Sequence, residues 1–143
     1  MKLSSPAFEY KALIPVKFSC QGESVNPALV IENIPKETKS LALIVDDPDA
    51  PMGNYVHWVV YDIPVITQIA ENSIPGKQGV NSSGNINYVG PCPPTGTHRY
   101  FFKIYALDKM LGLSEGLAKV DLEKEMQGHV LEKAELLGLY KKR

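Results

Sequence analysis

Over most of this chain hydrophobic and polar positions alternate or run in short apolar blocks, and helical spacing is confined to the last quarter. Val16, Phe18 and Cys20 alternate with Lys17 and Ser19 before Gln21-Gly22-Glu23 turns the chain, which predicts a half-buried strand ending in a loop. Residues 28–32 predict a second short strand. Leu41 to Val45 is continuously apolar, as a strand covered on both faces requires. Tyr55 to Ile63 and Tyr100 to Leu107 are rich in aromatic and β-branched residues, which pack well on a pleated surface. The predicted core is therefore a sheet, antiparallel or mixed.

From Asp121 to Leu137 the positions Leu122, Met126, Val130, Ala134 and Leu137 follow helical spacing, with Glu and Lys on the other face. The spacing predicts one long helix there. Gly128 in its interior costs about 1 kcal/mol relative to Ala, so a close packing contact is expected at that position. A shorter helical turn is predicted after Pro64, over residues 65–71. Residues 76–96 are too punctuated by Gly and Pro for a long regular element and read as a functional loop.

Composition narrows the classes. A chain of 143 residues with 44% hydrophobic and 22% charged content predicts one globular domain over 1–143. The formal net charge of -1 and a single terminal basic cluster, Lys141-Lys142-Arg143, argue against a nucleic-acid partner. No run of about 18 apolar residues exists, so no integral membrane association is expected. The N-terminus has no apolar core of a signal peptide, because Glu9 and Lys11 interrupt it. Two cysteines, Cys20 and Cys92, are too few for a disulfide framework and too distant for a CxxC motif; a reducing, cytoplasmic setting fits best, and one long-range disulfide stays open.

Candidate chemistry gathers at predicted strand ends. Asp46-Asp47-Pro48-Asp49-Ala50-Pro51 follows directly on the apolar strand, where two prolines fix the turn and make Pro51 a candidate for a cis peptide. His57 shares a face with Tyr55 and Val59 by period two, and His98 shares one with Tyr100. If these strands are neighbours, Asp47, Asp49, Tyr55, His57, His98 and Tyr100 meet beside a loop whose Gly90, Cys92, Gly96 and Thr97 offer backbone N–H groups. Such donors, together with an imidazolium, suit a phosphate or carboxylate. The neighbouring carboxylates are expected to raise the histidine pKa values and keep one ring protonated near neutral pH.

Several strings carry a family resemblance: Leu43-Ile44-Val45-Asp46-Asp47-Pro48-Asp49-Ala50-Pro51, His57-Trp58-Val59-Val60, Tyr88-Val89-Gly90-Pro91-Cys92-Pro93-Pro94 and Gly96-Thr97-His98-Arg99-Tyr100. In this order they resemble the phosphatidylethanolamine-binding protein family, the Raf kinase inhibitor-like proteins, and most of all its short prokaryotic branch. The resemblance implies a mainly β, α+β fold: a β-sandwich of a large and a smaller sheet with a C-terminal helix. It further implies a pocket of Asp47, Asp49, His57 and His98 with Tyr55 and Tyr100 as aromatic walls, and a Cys92 amide facing the bound anion beside Gly90 and Pro93. Asn26-Pro27 departs from the family's usual Ser-Pro.

The resulting expectation is a non-catalytic, regulatory protein that binds a small anionic ligand, a phospholipid head group or a phosphorylated small molecule. A kinase or protease is the protein partner the resemblance implies, and a homodimer is a further expectation from it. No cofactor and no metal is expected, since no HExxH or similar ligand string is present. The rival reading is a small hydrolase or metal-dependent enzyme using the Asp/His cluster.

Overall fold

The structure, a computed structural model, describes residues 1–143. A five-stranded antiparallel sheet is formed by β3 (Ser40–Asp47), β4 (Tyr55–Ile63), β6 (Lys77–Gln78), β7 (Thr97–Leu107) and β8 (Val130–Lys141), in the order β6-β4-β3-β7-β8. A smaller antiparallel sheet, β1-β2-β5, joins Lys2–Ser4, Leu29–Glu32 and Gln68–Ile69. The helix α1 (Lys119–Met126) completes the mainly β, α+β architecture of a larger and a smaller sheet.

β3 is central and buried along its whole length, which is why Leu41 to Val45 is apolar on both faces. Leu41, Leu43 and Val45 pack with Leu29, Ile31, Trp58, Val60 and Phe102 in the main core, together with residues of the smaller sheet. Ala42 and Ile44 point the other way and pack with Val59, Tyr61, Leu122 and Met126. Burying Leu122 and Met126 contributes about 1.5–3 kcal/mol each and holds α1 on the outer face of the large sheet.

Five local expectations are corrected. Val16 to Cys20 is not a strand: Val16–Phe18 forms a 3-10 turn after Pro15, closed by the backbone N–H and hydroxyl of Ser19, both donating to the Val16 carbonyl. The long helix ends at Met126, and Val130 to Lys141 pairs with β7 along nearly its full length. Gly128 lies at φ +78 with open space where a Cβ would stand, so it reverses the chain between helix and strand and makes no packing contact. Residues 65–71 hold the short strand β5 and not a helical turn. All peptide bonds are trans; after Pro51 the chain reverses through Gly53 at φ +104, whose N–H donates to the Ala50 carbonyl.

The loop 76–96 is pinned by buried amides. Asn81 accepts from the N–H groups of Ser83 and Asn85 and donates to Asn87, and the Gln78 side-chain oxygen accepts from the Trp58 indole at 2.7 Å. Asn26, the departure noted above, is buried and ties residues 70–73 in place through the Ala70 carbonyl and the Ser73 N–H. Cys20 and Cys92 are joined in a disulfide across 72 positions of sequence. The question left open in the sequence is thus answered by pairing, a bond that persists best in oxidising compartments and pulls against the cytoplasmic expectation. No helix is long and apolar enough to cross a membrane.

Candidate functional site

The antiparallel register brings the end of β3 against the starts of β4 and β7. Asp47 lies opposite Tyr55, and Val45 lies opposite Trp58 on one side and Phe102 on the other. Between these pairs the β3–β4 ladder slips: Val45 faces Trp58 but Asp46 faces Val56, so His57 is an extra residue in a bulge. A bulge re-aims the side chain it carries. Val59 accordingly packs on the outer face, while His57 stacks on Tyr55 at 4.9 Å and on the edge of Tyr100 at 5.3 Å. Strict alternation correctly associates His57 with Tyr55 and wrongly with Val59.

The residues so gathered line a cavity of about 530 Å³. Asp47, Tyr55, His57, Gly90, Cys92, Pro93, His98 and Tyr100 all reach it. Asp49 does not: its carboxylate accepts from the Arg99 side chain at 2.8 and 2.9 Å and from the Arg99 N–H, and these bonds hold its pKa down to about 2. Gly96 and Thr97 also lie outside the lining. Sequence reasoning missed Val89, Pro94, Ser82 and the turn Ala50 to Asn54, which close the cavity mouth. The glycine and prolines around Cys92 were the available signal for the first two.

Inside the cavity the polar groups are unequally satisfied. Asp47 accepts from His98 Nδ1 at 2.7 Å through one oxygen and from the Asp49 N–H at 2.7 Å through the other. His57 Nδ1 donates to the Val89 carbonyl at 2.7 Å. Tyr100 is 1% exposed, and its hydroxyl is sealed from solvent beside the Asp47 carboxylate without a well-formed hydrogen bond to it. Burial pushes the phenol pKa up, and the Asp47 charge adds to this, so the hydroxyl keeps its proton.

The expectation of raised histidine pKa values is corrected for His57. Burial lowers its pKa and outweighs the Val89 carbonyl and the Asp47 and Asp46 carboxylates, which act in the opposite direction. Both histidines are also more deeply buried than strand-end positions suggested, at 4% for His57 and 8% for His98. Asp46 faces away from the cavity: burial pushes its pKa up, but Asn54, Lys119 and Lys103 together hold it below the ordinary value.

The loop that supplies Val89 to Pro94 is clamped onto residues 18–24. Tyr88 donates to the Phe18 carbonyl, the Cys20 N–H to the Pro91 carbonyl, and the Gly90 N–H to the Ser24 hydroxyl, beside the disulfide. The backbone of Gly90 comes so close to Phe18 that a Cβ would sit 2.4 Å from its carbonyl oxygen. The Gly90 amide, read above as an anion donor, is therefore engaged with Ser24, whereas the Cys92 N–H has no protein partner. No three His, Cys, Asp or Glu side chains converge as a metal-holding group.

Residues 4–141 match the family model described as phosphatidylethanolamine-binding protein. A UPF0098 protein of Chlamydia muridarum is 48% identical over 98% of both chains, and one of Methanothermobacter thermautotrophicus is 45% identical over 99% of both. The solved structure of CT736 from Chlamydia trachomatis, described as a homolog of phosphatidylethanolamine-binding protein, is 45% identical with a TM-score of 0.97, covering 99% of this chain and 97% of that one. YbcL of E. coli, described as a member of the mammalian family, is 25% identical with a TM-score of 0.91, covering 99% and 98%. The chain belongs to the phosphatidylethanolamine-binding protein family, in its short prokaryotic branch.

Proposed function

We propose that the cavity binds a small phosphate-like anion, free or carried on a small molecule or a phosphorylated partner, and that the protein acts by capture and not by turnover. The observation that carries this reading is the pair of His57 and His98 rings, whose Nε2 atoms are unbonded and which line one cavity beside the unpartnered Cys92 N–H. Val89, Pro51, Pro93 and Pro94 give the cavity an apolar rim, which suits the organic part of an ester. A regulatory role in the cytoplasm, with a kinase or protease as partner, and a homodimeric state extend this reading from the family resemblance. The hydrolase alternative is less favoured, because Cys92 beside the cavity is tied in the disulfide and offers no thiol nucleophile.

Calorimetric titration with methyl phosphate tests the reading. His57→Ala and His98→Ala should each weaken binding about tenfold or more, equivalent to ~1.4 kcal/mol. Asp49→Asn, outside the cavity, should leave it nearly unchanged. Equal affinity in all three variants would remove the cavity as the binding site.

A further inference from the structure

We propose that His57 makes the cavity selective for the protonated, singly charged form of a phosphate monoester, against oxyanions of the same charge that carry no proton. This rests on the reading of the cavity as an anion site and names which anions it takes.

The ring of His57 is 4% exposed and held between the rings of Tyr55 and Tyr100, and its Nδ1 hydrogen is committed to the Val89 carbonyl at 2.7 Å. Val89 is itself fixed by the clamped loop and returns a bond, its N–H donating to the His57 carbonyl. With the hydrogen on Nδ1, a neutral imidazole offers only a lone pair at Nε2, and no protein group bonds that atom. A ligand oxygen without a hydrogen meets lone pair against lone pair there. A P–O–H group donates to it.

The charge inventory points the same way. No lysine or arginine lines the cavity, Arg99 is engaged by Asp49 on the rim, and Asp47 places a buried carboxylate in the lining. The groups facing His57 are Asp47 from β3, His98 and Tyr100 from β7 and Tyr55 on its own strand, with Asp46 behind the sheet. Two of these are carboxylates, and burial still keeps the ring on the neutral side of its ordinary range. A doubly charged phosphate would add two negative charges beside Asp47 with no lysine or arginine in the lining to answer them. The monoanion adds one and brings the proton that His57 Nε2 accepts.

Methyl phosphate and methyl sulfate separate the cases, because as monoanions they match in shape and charge and differ by one proton. In calorimetric titrations of the oxidised protein, methyl phosphate should bind about tenfold or more tightly than methyl sulfate on the acid side of the phosphate's second pKa of about 6. As pH rises through that value the methyl phosphate affinity should fall, approaching tenfold per unit, while methyl sulfate shows no such slope. His57→Phe keeps the stacked ring and removes the acceptor, so the preference should collapse through loss of phosphate affinity. Nitrogen NMR of the wild-type ring at neutral pH should show hydrogen on Nδ1 and none on Nε2, a readout independent of ligand and of the variant's folding. Equal binding of the two esters, or a proton on Nε2, overturns the proposal and leaves the anion site standing. Failure of both esters to bind at any pH overturns the anion site itself, and the selectivity with it.

Discussion

Asp47 Oδ2 lies 2.7 Å from His98 Nδ1, and their side chains are only 4% and 10% exposed. This charge-assisted bond fixes the imidazole so that Nε2 is the ring nitrogen left for a ligand, while the second Asp47 oxygen holds the turn that follows β3.

Asp47→Asn replaces an acceptor by a group that also donates and removes the charge. The expected result is a loss of about 1.5–3 kcal/mol of stability, the range for a hydrogen bond to a charged group, together with weaker methyl phosphate binding. Chemical denaturation gives the first and calorimetry the second. A variant as stable as the parent would show that the pair contributes orientation alone.

His57 supplies a pH dependence whose sign follows from burial. Its folded pKa lies below the unfolded value of about 6.5, so the unfolded chain binds the proton first as pH falls. The stability it contributes is present above about pH 6.5 and is lost as pH falls through the folded pKa. Denaturation of the parent and of His57→Phe at about pH 7 and about pH 5 should show the parent losing more stability on acidification. A parallel loss in both would assign the acid sensitivity to other groups.

Cys20–Cys92 closes a loop of 72 positions and anchors one wall of the cavity. Reduction, or the double change Cys20→Ser with Cys92→Ser, should lower stability by about 2–4 kcal/mol, chiefly by freeing the unfolded chain. Thermal melts with and without a dithiol reductant measure it. Hydrogen exchange should quicken at Val89 and Gly90, whose N–H groups bond the His57 carbonyl and the Ser24 hydroxyl; unchanged protection there would mean that the Tyr88, Gly90 and Cys20 bonds suffice.

Gly128→Ala distinguishes two readings by sign. In a helix interior, alanine would stabilise by about 1 kcal/mol. At φ +78 it should destabilise by about 1–2 kcal/mol, because an L residue is strained in the left-handed region. Urea denaturation of the variant decides.

Apolar patterning alone identifies the strands of the large sheet that carry the site. Leu41 to Val45 and Tyr55 to Ile63 could only be buried strands, since their apolar runs are too short for a buried helix and too rich in β-branched and aromatic residues. Nearly every residue named for the cavity was also legible, because Asp47, His57, Cys92 and His98 stand in strings of fixed order. Tertiary structure decided what depends on two segments at once. Val130 to Leu137 fits a period of 3.6 through Val130, Ala134 and Leu137 and a period of 2 through Ala134, Leu136 and Gly138. The backbone groups of β7 settle it, since pairing with β8 satisfies an edge that would otherwise stay open. The bulge at His57 is a register between β3 and β4 and has no mark in either strand alone. The engagement of Asp49 by Arg99, the Gly90 amide held by Ser24 and the Cys20–Cys92 bond likewise need the folded chain. So does the protonation of His57: composition places carboxylates nearby, but only burial, a property of the packed molecule, makes desolvation the larger effect.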